Sequence, residues 1–147
     1  MAVLCEKAIR EVDGVISLVR ITDKVTGKLV GPVIPDPLPA FPVSLSLVIM
    51  LRAGEARGPY VIRLRPEPPS GEPIAETEVP VNFTGPPEMG MNFIINLTMA
   101  VSQEGFYWIT VLLNDDLLTR IPLQVEYEFQ QAEDPAEPQE APPSQET

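Results

Sequence analysis

The sequence predicts an all-β protein: an antiparallel β-sandwich of about eight strands, immunoglobulin-like or C2-like, followed by a disordered acidic C-terminal tail. Three observations predict it. Of the 147 residues 44% are hydrophobic, enough for one core, yet 18 are prolines, far more than a helix bundle tolerates. Apolar residues recur with period two, most cleanly from Met91 to Val101. Turn residues interrupt the chain roughly every ten positions, the spacing of a sandwich or, as the alternative, a closed barrel.

The elements follow in order. Ala2 to Arg10 has two readings. Cys5, Ala8, Ile9 and Val12 have helical spacing, but Asp13-Gly14 makes a turn into the β-rich run Val15 to Ile21. A hairpin through that turn is the preferred reading. Lys24 to Pro42 reads as a long loop, because Pro32, Pro35, Pro37, Pro39 and Pro42 exclude a central strand. Val43 to Arg52 and Tyr60 to Arg65 read as the arms of a hairpin, which Pro66, Pro68, Pro69 and Gly71 end. Ile74 to Phe83 is a weaker strand that Pro80 places at a sheet edge. Gly85-Pro86-Pro87 leads into Met91 to Val101, with Met91, Phe93, Ile95, Leu97, Met99 and Val101 on one face. Phe106 to Leu113 and Leu117 to Glu128 form a last hairpin through Asn114-Asp115-Asp116.

Composition divides the chain into a β-sandwich domain, residues 1–129, and a tail, residues 130–147. The tail holds only Gln, Ala, Glu, Asp, Pro, Ser and Thr, with five acidic residues and no basic one. Nothing in it can bury apolar surface. Its Pro135-Ala136-Glu137-Pro138 has Pro-x-x-Pro spacing without a basic flank, and a solubilising spacer is the plainer reading. The tail accounts for −5 of the net charge of −11, so −6 remains on the domain. That balance opposes nucleic acid and anionic membrane as partners. The N-terminus has no basic region before a long apolar run, so no secretory leader is expected. The apolar run Leu45 to Leu51, broken by Ser46, is too short to span a bilayer. The sequons at Asn82 and Asn96 carry no weight without export.

The chain has no histidine, which removes imidazole bases and the usual zinc sites. Its one cysteine, Cys5, precludes an intrachain disulfide, fits a reducing cytoplasm and is expected to be buried and inert. No catalytic set, cofactor or metal is expected. The aspartates Asp13, Asp23, Asp36, Asp115 and Asp116 stand in turns, with no Asp-x-Asp pair for calcium. Gly85 to Gly90 lacks the Lys-Ser/Thr end of a phosphate loop.

Three stretches carry a resemblance. They are Leu4-Cys5-Glu6 through Ala8 and Asp13-Gly14 to Ile16-Ser17-Leu18, the proline-rich crossing that ends in Phe41-Pro42, and Gly105-Phe106-Tyr107 to Asn114-Asp115 with Leu118 and Ile121-Pro122-Leu123. Together the chain resembles an uncharacterised bacterial family of small immunoglobulin/C2-like β-sandwich proteins, over residues 1–127. It departs at Gly14-Val15, where the family's usual pair is Gly-Lys. The resemblance implies a fold and supplies no catalytic residue.

Two surfaces are candidates for contact. If residues 50 and 61 face each other in the hairpin 43–65, Val48, Met50, Arg52, Val61, Arg63 and Arg65 share one outward face, apolar at its centre and ringed by arginine. The bland reading is that Arg63 and Arg65 pair with Glu on the adjacent strand. In the last hairpin a three-residue loop opposes Tyr107 to Leu123 and Ile109 to Ile121. That register puts Trp108 outside beside Pro122, with Arg120 near, whereas a two-residue turn puts Trp108 inside. The function expected is a non-catalytic accessory or scaffold subunit acting through a protein partner or self-association. The alternative is a small-ligand or carbohydrate-binding module using Trp108, Tyr107 or Tyr60 on a sheet face.

Overall fold

The structure, a computed structural model, describes residues 1–132. It is all-β there, with nine strands and no helix. The strands are β1 (Ala2–Arg10), β2 (Ile16–Ile21), β3 (Lys24–Gly31), β4 (Phe41–Arg52), β5 (Gly58–Glu67), β6 (Thr77–Phe83), β7 (Gly90–Val101), β8 (Gly105–Leu113) and β9 (Asp116–Gln131). They form a four-stranded sheet, β2-β1-β4-β7, and a five-stranded sheet, β3-β9-β8-β5-β6. The five-stranded sheet curls as a half-barrel. One buried cluster draws on both sheets: Leu4, Leu47, Ile49 and Val101 from the first, and Ile62, Leu64, Tyr107, Ile109 and Val125 from the second.

The apolar alternation sets the faces. Ile95, Leu97, Met99 and Val101 are buried while Asn96, Thr98 and Ala100 are exposed, as the period of β7 predicts. β1 and β2 form the expected hairpin, with the Val15 amide donating to Asp13 Oδ1 at 3.1 Å in the turn. Pro80 lies on β6, an edge strand.

Two expectations are corrected. The segment read as a loop from Lys24 contains β3, which pairs in parallel with β9 from Lys24↔Gln124 to Gly31↔Gln131. The prolines that exclude a strand begin only at Pro32, and the sheet accordingly holds one parallel pair among antiparallel ones. The last strand therefore includes Gln130 and Gln131, and the acidic tail from residue 133 on lies outside the described residues.

The second correction concerns the hairpin 43–65. β4 and β5 are not paired, because β1 and β7 take both edges of β4. Ala53 is buried, and the Ala53 and Gly54 amides donate to the Met89 and Pro87 carbonyls at 3.4 and 3.0 Å. The turn is thus tied to residues 86–89 and hands the chain to the other sheet. Val48, Met50 and Arg52 lie in one sheet and Val61, Arg63 and Arg65 in the other, so the stripe of six residues does not exist as a face.

Candidate functional site

Each half of the supposed stripe has its own surroundings. Val48 points to the outer face of its sheet, yet it is only 1% exposed. The β1–β2 hairpin covers it: Ile16 and Leu18 line a cleft with Val48, Met50 and Asn92, and Arg10 Nη2 donates to the Asn92 carbonyl at 3.2 Å. Met50 stays 43% exposed at the rim, and Arg52 is exposed at the strand end. Val61 lies opposite Pro80, its amide donating to Asn114 Oδ1 at 3.0 Å. Arg63 stands 3.2 Å from Glu78 and 2.9 Å from Asp115, and Arg65 Nε is 2.6 Å from Glu76 Oε1. Both arginines are therefore paired with acids, chiefly on or beside the neighbouring strand β6.

The last hairpin reconciles two registers. Its turn is two residues, Asn114-Asp115, with Leu113 opposite Asp116 and Asn114 in the left-handed region at φ 53°. A bulge then shifts the ladder between Val111 and Leu112, so Tyr107 faces Leu123, Ile109 faces Ile121 and Trp108 faces Pro122. Trp108 is consequently outside, 36% exposed, while Tyr107 and Ile109 are buried. Arg120 lies over the Trp108 ring, its guanidinium carbon 4.6 Å from the centroid, and Arg120 Nη2 is 3.2 Å from Glu67 Oε2.

Trp108 and Glu67 border a groove of about 480 Å³ on the outer face of the five-stranded sheet. Phe106 and Trp108, two positions apart on β8, form its aromatic floor, and Phe106 is 51% exposed. Arg65 and Glu67 reach it from β5, and the segment from Pro68 to Ile74 makes a wall. That wall is anchored. Gly105 has φ +124°, and a Cβ there would stand 3.1 Å from Pro69 Cγ, so a glycine lets the proline close down on the start of β8. The Ser70 amide donates to Gln103 Oε1 and Gln103 Nε2 to Ser70 Oγ, both at 3.0 Å. The Gly71 amide closes a turn onto the Pro68 carbonyl at 2.9 Å.

Electrostatically the groove mixes both signs. Glu76 beside Arg65 holds that guanidinium's pKa above its ordinary value. Thr110 lies between Arg65 and Arg120 in the ladder; its hydroxyl is buried and has no hydrogen-bond partner among the described residues. Cys5 is buried, its Sγ 3.6 Å from the Ser46 carbonyl, and burial pushes its thiol pKa up. No group of three His, Cys, Asp or Glu among the described residues is arranged to hold a metal ion. No helix among them is long and apolar enough to cross a membrane.

The structure thus gathers Arg65, Trp108 and Arg120 at one place. The sequence places Arg65 on a different face and gives no functional sign of Phe106, Glu67 or the proline wall. The signal for the wall lies in Pro66, Pro68 and Pro69, which the sequence offers as the end of a strand, and in Pro73 after them.

The profile of a Family of unknown function (DUF6941) matches residues 1–126, which include the whole groove. No curated protein and no solved structure matches the chain.

Proposed function

We propose a function from geometry for a chain that belongs to this family of unknown function: a non-catalytic accessory subunit that binds extended, proline-containing segments of partner proteins. The observation that carries the reading is the pair Phe106 and Trp108, exposed side by side on one strand and walled by an anchored proline loop. Polyproline-type segments dock on such aromatic surfaces because they are already extended and lose little entropy on binding. Arg120 over Trp108 orders the ring before a ligand arrives.

The absence of catalysis is part of the proposal. Three carboxylates near the groove are each committed to an arginine: Glu67 to Arg120, Glu76 to Arg65 and Glu78 to Arg63. We further infer an immunoglobulin-like or C2-like sandwich, supported by the buried cluster shared between the sheets. A bacterial cytoplasmic setting is supported by the resemblance and by the lone thiol, Cys5.

A carbohydrate is the second reading, since Glu72, Ser70 and Gln103 offer polar groups beside the aromatic floor. It is weaker because Arg120 already takes one face of the Trp108 ring. The test is titration of the full chain with a synthetic peptide of repeated Pro-Ala-Glu-Pro units and with neutral oligosaccharides, read by the emission of Trp108, the sole tryptophan. The peptide is expected to shift the emission at micromolar to millimolar concentration, and Trp108→Ala to abolish binding measured by calorimetry. A response to oligosaccharide alone transfers the site to the second reading. Silence to both overturns the groove as a binding site.

A further inference from the structure

We infer that the free edge of β7 is a self-association site, through which two copies of the chain pair antiparallel and join their four-stranded sheets into one. This goes beyond the groove, which lies on the other sheet.

The two sheets have four edge strands, and three of them carry devices that discourage pairing. β2 has six residues and contains Arg20 at φ 54°, which breaks its pleat. β3 contains Gly27, Gly31 and two lysines. β6 contains Pro80 and Glu78. β7 has only one glycine, Gly90 at its very start, and none of the other devices. It runs for 12 residues, Gly-Met-Asn-Phe-Ile-Ile-Asn-Leu-Thr-Met-Ala-Val, without a charge or a proline. It has no strand partner but β4, which leaves one side of its backbone, about 40 Å long, without a neighbouring strand among the described residues, with only the Asn92 carbonyl taken, by Arg10 Nη2 at 3.2 Å.

The occupant follows from the pattern of the strand. Odd-numbered residues face the core and even-numbered residues face outward. Antiparallel pairing of the strand with itself keeps faces matched only when paired numbers share parity. The longest such pairing over 91–101 centres on Asn96. It sets half-buried Met91 and Phe93 of one copy against Val101 and Met99 of the other, and Ile95 against Leu97. The less covered start of one strand thus meets the well-packed end of the other, as a two-fold contact requires. An uncharged strand gives a foreign partner no electrostatic handle, whereas its own sequence supplies the complementary apolar row. The two chains, each at −11, repel at long range, so added salt strengthens the contact.

The experiment is sedimentation of the full chain over a range of concentrations and salt. A reversible dimer that tightens with salt is expected. Asn96→Lys places two lysines together on the two-fold axis and weakens association by on the order of tenfold; Asn96→Glu does the same. Mixing the two variants restores a heterodimer, which separates loss of contact from loss of fold. A monomer at every concentration overturns the inference. So does a dimer indifferent to both variants, or a mixture of N96K and N96E that stays monomeric.

Discussion

Arg120 and Trp108 form a stacked pair on the outer face of the five-stranded sheet, 4.6 Å from guanidinium carbon to ring centroid, with Arg120 also held by Glu67 at 3.2 Å. Both partners are partly exposed, so the stack contributes about 0.5–1 kcal/mol and the ion pair little more. Its larger effect is on order, because the guanidinium fixes one orientation of the indole. Arg120→Ala is expected to leave the melting temperature within a few degrees, to lower the fluorescence anisotropy of Trp108 and to weaken peptide binding severalfold. An anisotropy that does not change would show that the proline wall alone orders the ring.

Gly27 and Phe41 share a single space between the sheets. A Cβ on Gly27 would stand 2.5 Å from Phe41 Cε1, and Phe41 in turn meets Tyr127 edge-on with centroids 5.3 Å apart. Gly27 is buried and pairs directly with Tyr127 across β3 and β9, so the backbone cannot retreat without breaking the parallel ladder. Gly27→Ala is expected to cost about 1–3 kcal/mol in urea unfolding. Adding Phe41→Leu should recover part of that loss. A single variant as stable as the natural chain would mean that the ring moves freely.

The faces of the strands were legible in the sequence because alternation is local: Leu45, Leu47, Ile49, Ile62 and Leu64 are all buried, as their spacing predicts. Their partners were not. Val43–Arg52 is adjacent in sequence to the strand after it, but β1 and β7, distant along the chain, win both its edges. β3 was hidden by its two glycines and by the prolines that follow it. At the candidate site, Trp108 and Arg120 could be placed together because apolar rows select the register of the last hairpin. Phe106 and the wall could not, since they depend on Pro69 resting on Gly105 and on Gln103 bonding Ser70. Such loop-to-turn contacts leave no periodic trace.

Thr110 is a buried hydroxyl without a hydrogen-bond partner among the described residues, in a position where a strand accepts either Thr or Val. An unpaired buried hydroxyl carries its desolvation cost with no return, about 1–3 kcal/mol, and an apolar group of the same shape avoids it. Thr110→Val is therefore expected to be neutral or to stabilise by up to about 1 kcal/mol, measured by urea unfolding. Destabilisation by more than that would reveal an ordered water bonded to the hydroxyl.

Among the described residues four groups have displaced protonation, and all shift in one direction, which sets the pH range in which the fold weakens. Burial raises the Tyr127 pKa, with Tyr107 and Glu104 adding to it, and the Tyr127 hydroxyl donates to the Pro39 carbonyl at 2.7 Å. Burial likewise raises the pKa of Cys5, and hydrogen bonding to Glu126 and Glu76 raises those of Lys24 and Arg65. In each case the folded chain keeps its proton to a higher pH than the unfolded chain does. The associated stability is intact below the unfolded pKa and is lost as pH rises through the folded one. The thiol begins this loss above about pH 8.5 and the phenol above about pH 10, while the two exposed bases add little. Thermal melts should be flat from about pH 7 to 8.5 and fall beyond it. Cys5→Ala should remove the first part of the fall. Tyr127→Phe should remove the later part, while costing about 1 kcal/mol at neutral pH for the lost bond to Pro39. A melting temperature that rises between about pH 9 and 11, or an alkaline slope unchanged in both variants, would contradict the assignment of these two buried groups.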